Sequence, residues 1–215
     1  MAFVCFLVGF IQTLMIPMVL TFANSKTVGI MESLSAVGML IGSVAIGIFT
    51  IKKNYVKILM ISLMLSGIFM SMVGTTTSII FIICSCFLFF TTLPFINTCV
   101  DVLIRINIPN EVQGRAWGII SLITQSGCIV AYAACGLLAD YVFGPMLMED
   151  GILSSSVGNI IGTGAGRGIG FMIIIAGISL FITSFVIGNI KSIRSMEKTE
   201  ILKSSINMDS NIKEN

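Results

Sequence analysis

The side chains that could do chemistry in this chain are few, and they are unevenly placed. There is no histidine, so the commonest general acid–base and metal ligand is missing. Three carboxylates stand in or beside apolar stretches, Glu32, Asp101 and Asp140. Hydrolysis or metal binding inside a membrane needs paired acids at one depth. Counted at ~1.5 Å per helical residue, Glu32 lies about one turn inside the outer end of its stretch. Asp140 is near the outer end of another, and Asp101 near the inner end of a third. This spread argues against an enzyme, and neither a metal nor a cofactor is expected. Asp101 and Arg105 stand at i and i+4, where they can pair on one helix face. Such a pair anchors a helix at the interface, or serves as part of a gate. The mid-stretch polar groups are all neutral: Gln12, Thr13, Thr91, Thr92 and Gln125, with Tyr132 farther out. They suit hydrogen bonding to a mostly apolar organic solute, or to one another between helices.

Two other groups of residues invite chemistry and point elsewhere. The six cysteines all lie in apolar runs without a C-x-x-C pair, which fits small packing residues. The alternating glycines from Gly162 to Gly170 match no phosphate-binding spacing, and no strand precedes them. They read as a flexible turn into the last helix.

The elements that must carry these residues are membrane spans. Of 215 residues, 56% are hydrophobic and only 10% charged, with a mean hydropathy of +1.05. A soluble domain carries about a quarter charged residues, and a bilayer crossing takes ~20 apolar ones. Six stretches qualify, 2–22, 29–51, 58–75, 79–104, 117–143 and 168–190, and the polar remainder, 191–215, reads as a disordered tail. The fold class expected is all-α, six transmembrane helices. Small-residue stripes mark packing faces: Gly127, Ala131, Cys135 and Ala139 in the fifth span, Gly38 and Gly42 in the second, and Gly170, Gly177 and Ser184 in the sixth. Pro17 and Pro94 fall inside spans, where they bend helices statically or as part of gating. Ten of the twelve basic residues collect on one side (Lys52, Lys53, Lys57, Arg105, Arg115 and the tail), leaving Lys26 and Arg167 opposite. By the positive-inside rule the rich side, with both chain ends, is cytoplasmic.

A resemblance enters at Ile108-Pro-Asn-Glu-Val-Gln-Gly-Arg-Ala-Trp-Gly118. This loop, ending in Gly-Arg at the mouth of a helix, resembles the cytoplasmic loop between the tenth and eleventh helices of major facilitator superfamily transporters. Gly136-Leu-Leu-Ala-Asp140 looks like the outer part of the eleventh helix, and the 162–170 glycine run is similar to the macrolide-efflux and siderophore-exporter branch. The family's G-x-x-x-D-R-x-G-R-R loop is degenerate here: Gly42, Gly47, Lys52 and Lys53 are present, but the aspartate is missing. The resemblance covers nearly the whole chain as the C-terminal six-helix half of a twelve-helix transporter.

That resemblance implies a cytoplasmic gate network of Asp101, Arg105, Glu111 and Arg115, with Gly114 permitting a tight turn or close approach. It implies export of small hydrophobic compounds, macrolide-type drugs above all, by proton antiport. The coupling acids would then lie in an opposing six-helix half. Met1 opens almost directly into a helix, so that half is expected ahead of it, with association of two copies as the other route. The competing reading is a membrane fragment or assembly component without transport of its own. The location expected is the plasma membrane of a bacterium, with lipid the surrounding partner and no nucleic acid bound.

Overall fold

A computed structural model describes residues 2–48, 54–147, 158, 162, 164 and 166–189, apart from the side chains of Ala2 and Asp140. Every regular element among these residues is a helix, and six helices are long and apolar enough to cross a membrane. They are α1 (Ala2–Leu20), α2 (Ser25–Ile48), α3 (Tyr55–Thr75), α4 (Ile79–Asn107), α5 (Gln113–Leu138) and α6 (Arg167–Asn189). A π-helical turn, Ala139–Phe143, and the short turn Gly144–Met146 extend α5. Lys52, Lys53 and the tail from 191 onward lie outside the described residues, as do parts of the glycine-rich run.

Three helix ends depart from hydropathy, each for a local reason. The second helix begins at Ser25 rather than near 29, because the Asn24 carbonyl accepts the amides of Thr27 and Val28 (2.9 and 3.2 Å). The fourth continues to Asn107, where Pro109 then removes a donor and ends it. The fifth starts at Gln113, so Arg105 and Arg115 belong to helical turns rather than to a long loop. Both internal prolines sit within unbroken helices, α1 and α4.

The pairings of the helices follow a pattern. α3 packs on α6 and α4, α2 on α4, and α1 on α5 and α6, whereas α1 and α2 barely touch. Exchanging α1 with α4, α2 with α5 and α3 with α6 turns this set of pairings into itself. Contact registers give the directions. Gly38 and Gly42 of α2 meet Phe87–Thr91 and Thr91–Pro94 of α4, so these two run parallel. The Cys128 and Cys135 thiols of α5 face the carbonyls of Cys5 and Phe10 of α1 (4.0 and 3.5 Å), again parallel. α3 and α6 are antiparallel, Gly67 against Gly177 and Gly74 against Gly170. The bundle is therefore two three-helix units of opposite direction, interleaved. This alternation puts Lys57, Arg105 and Arg115 at one end and Lys26 and Arg167 at the other.

The small-residue stripes are the packing faces expected of them. Ala131 and Cys135 are buried against α1, Gly38 and Gly42 against α4, and Gly170, Gly177 and Ser184 against α3. The α3 partners, Gly67 and Gly74, complete the tightest seam. A Cβ on Gly67 would stand 2.6 Å from the Gly177 carbonyl oxygen and 2.8 Å from the Phe181 amide nitrogen. At the same spacing farther along, the Ser184 hydroxyl donates to the Met60 carbonyl (2.7 Å).

Gly67→Ala and Gly177→Ala are each expected to destabilise the bundle by ~1–3 kcal/mol, because backbone cannot yield as a side-chain tip can. Gly47→Ala, with open space around it, should be neutral or gain up to ~1 kcal/mol of helix propensity. Thermal unfolding in detergent reads the difference; equal shifts for all three would disprove the seam.

Candidate functional site

One cavity of about 350 Å³ collects half of the uncharged polar side chains expected to matter. Its lining comes from all six helices, chiefly Val4–Gln12 of α1, Phe90–Val100 of α4 and Thr124–Tyr132 of α5. Met39, Leu59, Leu63 and Ile187 add apolar wall from α2, α3 and α6. These positions lie early in α1 and α3 and late in α6, so the cavity belongs to the half of the bundle nearer Arg105 and Arg115. Toward the opposite end the helices close. There the Cys86 thiol meets the Met15 thioether at 3.2 Å, and Met18 approaches Gly170.

Three of the expected path residues are brought together here: Gln12, Gln125 and Tyr132. The Tyr132 ring lies across Gly9, whose missing side chain leaves room for it at ordinary contact distance, 3.6 Å to an added Cβ. Thr13, Thr91 and Thr92 do not line the cavity. Their hydroxyls donate to carbonyls of their own helix, Gly9, Phe87 and Phe89, at 2.8, 2.7 and 2.7 Å. A short branched hydroxyl reaches back one turn easily, which removes these groups from the pool available to a solute. Two lining residues went unread in the sequence, Asn97 and Thr124. Asn97 had a visible signal: like Gln12 and Gln125, it is a carboxamide in mid-span.

The carboxylates and the expected gate cluster lie elsewhere. Glu32 is exposed and about two turns into α2, deeper than hydropathy implied because the helix starts earlier. Asp140 belongs to the π-helical turn, and its side chain is outside the described residues. Asp101, Arg105, Glu111 and Arg115 are all exposed around the α4–α5 connection, and no ion pair joins them. The expected Asp101–Arg105 pair is not formed: an exposed pair gains little and pays side-chain entropy to hold one geometry. Gly114 makes neither a tight turn nor a close approach, since it is helical and an added Cβ would meet nothing within 4 Å. The connection is held instead by Gln113, whose carboxamide donates to the carbonyls of Arg105 and Ile108 (3.2 and 3.3 Å). In the glycine-rich run, Gly162, Gly164 and Gly166 have φ of +93°, +118° and +84°. That conformation favours glycine and fits a turn into α6, with the Gly164 amide donating to Leu147 (3.2 Å).

All six cysteines are free thiols, and they divide by environment. Cys86, Cys99 and Cys135 are buried in helix interfaces, whereas Cys5 and Cys128 line the cavity. A small methanethiosulfonate reagent should therefore modify Cys5 and Cys128 well before Cys86, Cys99 and Cys135, read by mass spectrometry of peptides. Earlier modification of Cys86 or Cys135 would contradict the cavity's position. Among the described residues no group of three or more potential metal-ligating side chains comes together. No protein-family model, curated protein or solved structure matches the chain.

Proposed function

We propose that this chain is one six-helix half of a secondary-active exporter of hydrophobic compounds, of the major facilitator kind, and that its cavity is half of the substrate site. The observation that carries this reading is the cavity itself, an apolar pocket into which neutral polar side chains converge from α1, α4 and α5. Its setting supports the same reading. Secondary transporters are often built from three-helix units of inverted direction, with the substrate held at the interface between repeats. The pairing pattern of α1–α3 with α4–α6 has that form.

The opposing wall would come from another six-helix bundle, an N-terminal half or a second copy. The helices flanking the cavity, α2 and α5, are the least buried of the six and expose Leu40, Val44, Leu122 and Ile129. In this reading those faces meet the opposing bundle and lipid. Macrolide-type drugs are the substrates favoured by the family resemblance, and proton antiport is the energy source. Among the described residues no carboxylate lines the cavity, and in this reading the coupling acid comes from the opposing bundle. The end bearing Lys57, Arg105 and Arg115 faces the cytoplasm of a plasma membrane, following the bias of basic residues. Asp101, Glu111 and the two arginines then surround the cytoplasmic mouth.

A second reading, a membrane component without transport of its own, draws on the same openness, because a cavity walled on one side cannot alternate its access alone. Uptake of a labelled macrolide into everted vesicles separates the two. With the opposing bundle or a second copy present, uptake should exceed that of vesicles lacking the chain and fall to background with an uncoupler. Uptake indifferent to the proton gradient would remove antiport. A chain that inserts but never raises uptake favours the second reading.

A further inference from the structure

Inside the spans, hydroxyl groups away from the cavity mostly turn back on their own helix. Besides the three threonines above, Ser33, Ser43, Ser71, Ser126, Ser179 and Thr183 each donate to the carbonyl four residues earlier. The cavity is different. Gln12, Asn97, Thr124, Gln125 and Tyr132 all line it, and none has a side-chain hydrogen bond within the described residues. Thr124 is a threonine that could have bonded its own helix and does not; away from the cavity the buried Ser35 hydroxyl is likewise unbonded, so what distinguishes the cavity is the gathering of several such groups around one space. Two carboxamides and a phenol face the space from the parallel pair α1 and α5, and a third carboxamide faces it from α4. Each carboxamide offers both donors and an acceptor, and each hydroxyl offers one of either kind.

Among the described residues no charged side chain lines this space. A permanent ion moving from water into such a wall meets no counter-charge, which weakens its binding by several factors of ten. Phe90 and Tyr132 also line the cavity, and a cation resting on a ring recovers roughly 30-fold of that loss. The size is modest, at the lower end of the ~300–1,000 Å³ typical of drug-sized sites. We infer that the cavity selects uncharged solutes carrying hydrogen-bonding oxygen or nitrogen on an apolar body, and discriminates against cations and anions of equal size. This rests on the reading of the cavity as the substrate site and narrows it. Within a larger drug, this half would recognise the neutral carbonyl and hydroxyl groups rather than a charged amine.

Three probes of nearly equal shape test it: triphenylphosphine oxide (neutral), methyltriphenylphosphonium (cation) and triphenylacetate (anion). Binding to the full chain in lipid nanodiscs is measured after subtracting empty nanodiscs. The oxide should bind at least ~10-fold more tightly than either ion. Gln125→Leu and Tyr132→Phe should each weaken it ~3- to 10-fold, as expected for one hydrogen bond. Ser126→Ala, outside the cavity, should leave it unchanged, and circular dichroism confirms that each variant stays folded. Tyr132→Phe keeps the ring across Gly9, so it tests the hydroxyl even if Gln125→Leu fails to fold. An ion binding as tightly as the oxide, with sensitivity to the same variants, overturns the selectivity but leaves the site. Oxide binding indifferent to both variants, or no protein-dependent binding of any probe, overturns the site and the selectivity together.

Discussion

In hydrocarbon a peptide amide has no water to turn to, so each crossing segment must close its hydrogen bonds within its own helix. The helices are then as apolar as the lipid around them, and burying apolar surface no longer draws them together. What remains is how closely one backbone can approach another. The α3–α6 seam is where this chain exploits that most fully. Gly67 stands against Gly177 and Gly74 against Gly170, each carbonyl close to the opposing Cα, and Ser184 adds a hydrogen bond across to Met60. Close Cα–H···O contacts of this type are worth ~0.5–1 kcal/mol each. Collectively they set a fixed spacing from which the other helices take their positions.

Two other pairs repeat the device with larger residues on one side or both. α2 meets α4 through Gly38 and Gly42, and α1 meets α5 through Cys128, Ala131 and Cys135. Where two sequence-adjacent helices lack such a stripe they diverge, as α1 and α2 do. The cavity is the space left among helices whose closest partners lie elsewhere. Its chemistry follows from the same packing. Threonines at the close α2–α4 contact have no room for a solute and settle on their own carbonyls. Carboxamides on the diverging faces keep their groups exposed.

Much of this was legible from residue order, and the failures share a cause. The number of helices follows from the length of apolar runs, a local property, and the stripes in α2, α5 and α6 follow from the periodicity of small residues. Gly67 and Gly74 share the seven-residue interval of Gly170 and Gly177, but two glycines make a shorter stripe, and their part in the seam shows only once the antiparallel partner is known. Helix ends shifted at Asn24, whose backbone carbonyl accepts two amides, and at Gln113, whose side chain reaches two carbonyls; hydropathy carries no such information. Of the path residues read from the sequence, Gln12, Gln125 and Tyr132 line the cavity, while Thr13, Thr91 and Thr92, grouped with them, do not. Side-chain reach would have separated the two groups, and it would also have drawn attention to Asn97. The acidic and basic residues near the α4–α5 connection were grouped by spacing alone, which says where charges are but not whether they touch.

The interleaving of the two three-helix units bears on how the bundle is built as it is synthesised. α1 emerges before the five helices that follow it, yet its main contacts are with α5 and α6, and the α3 glycines wait for α6. No complete pairing pattern exists until the last helix has entered the bilayer. Early helices must be retained in the membrane by their own apolarity, with the polar groups on α1 held by lipid headgroups or by the insertion machinery. Assembly is therefore a late, concerted event, and a ribosome stalled before α6 would leave the central seam still open.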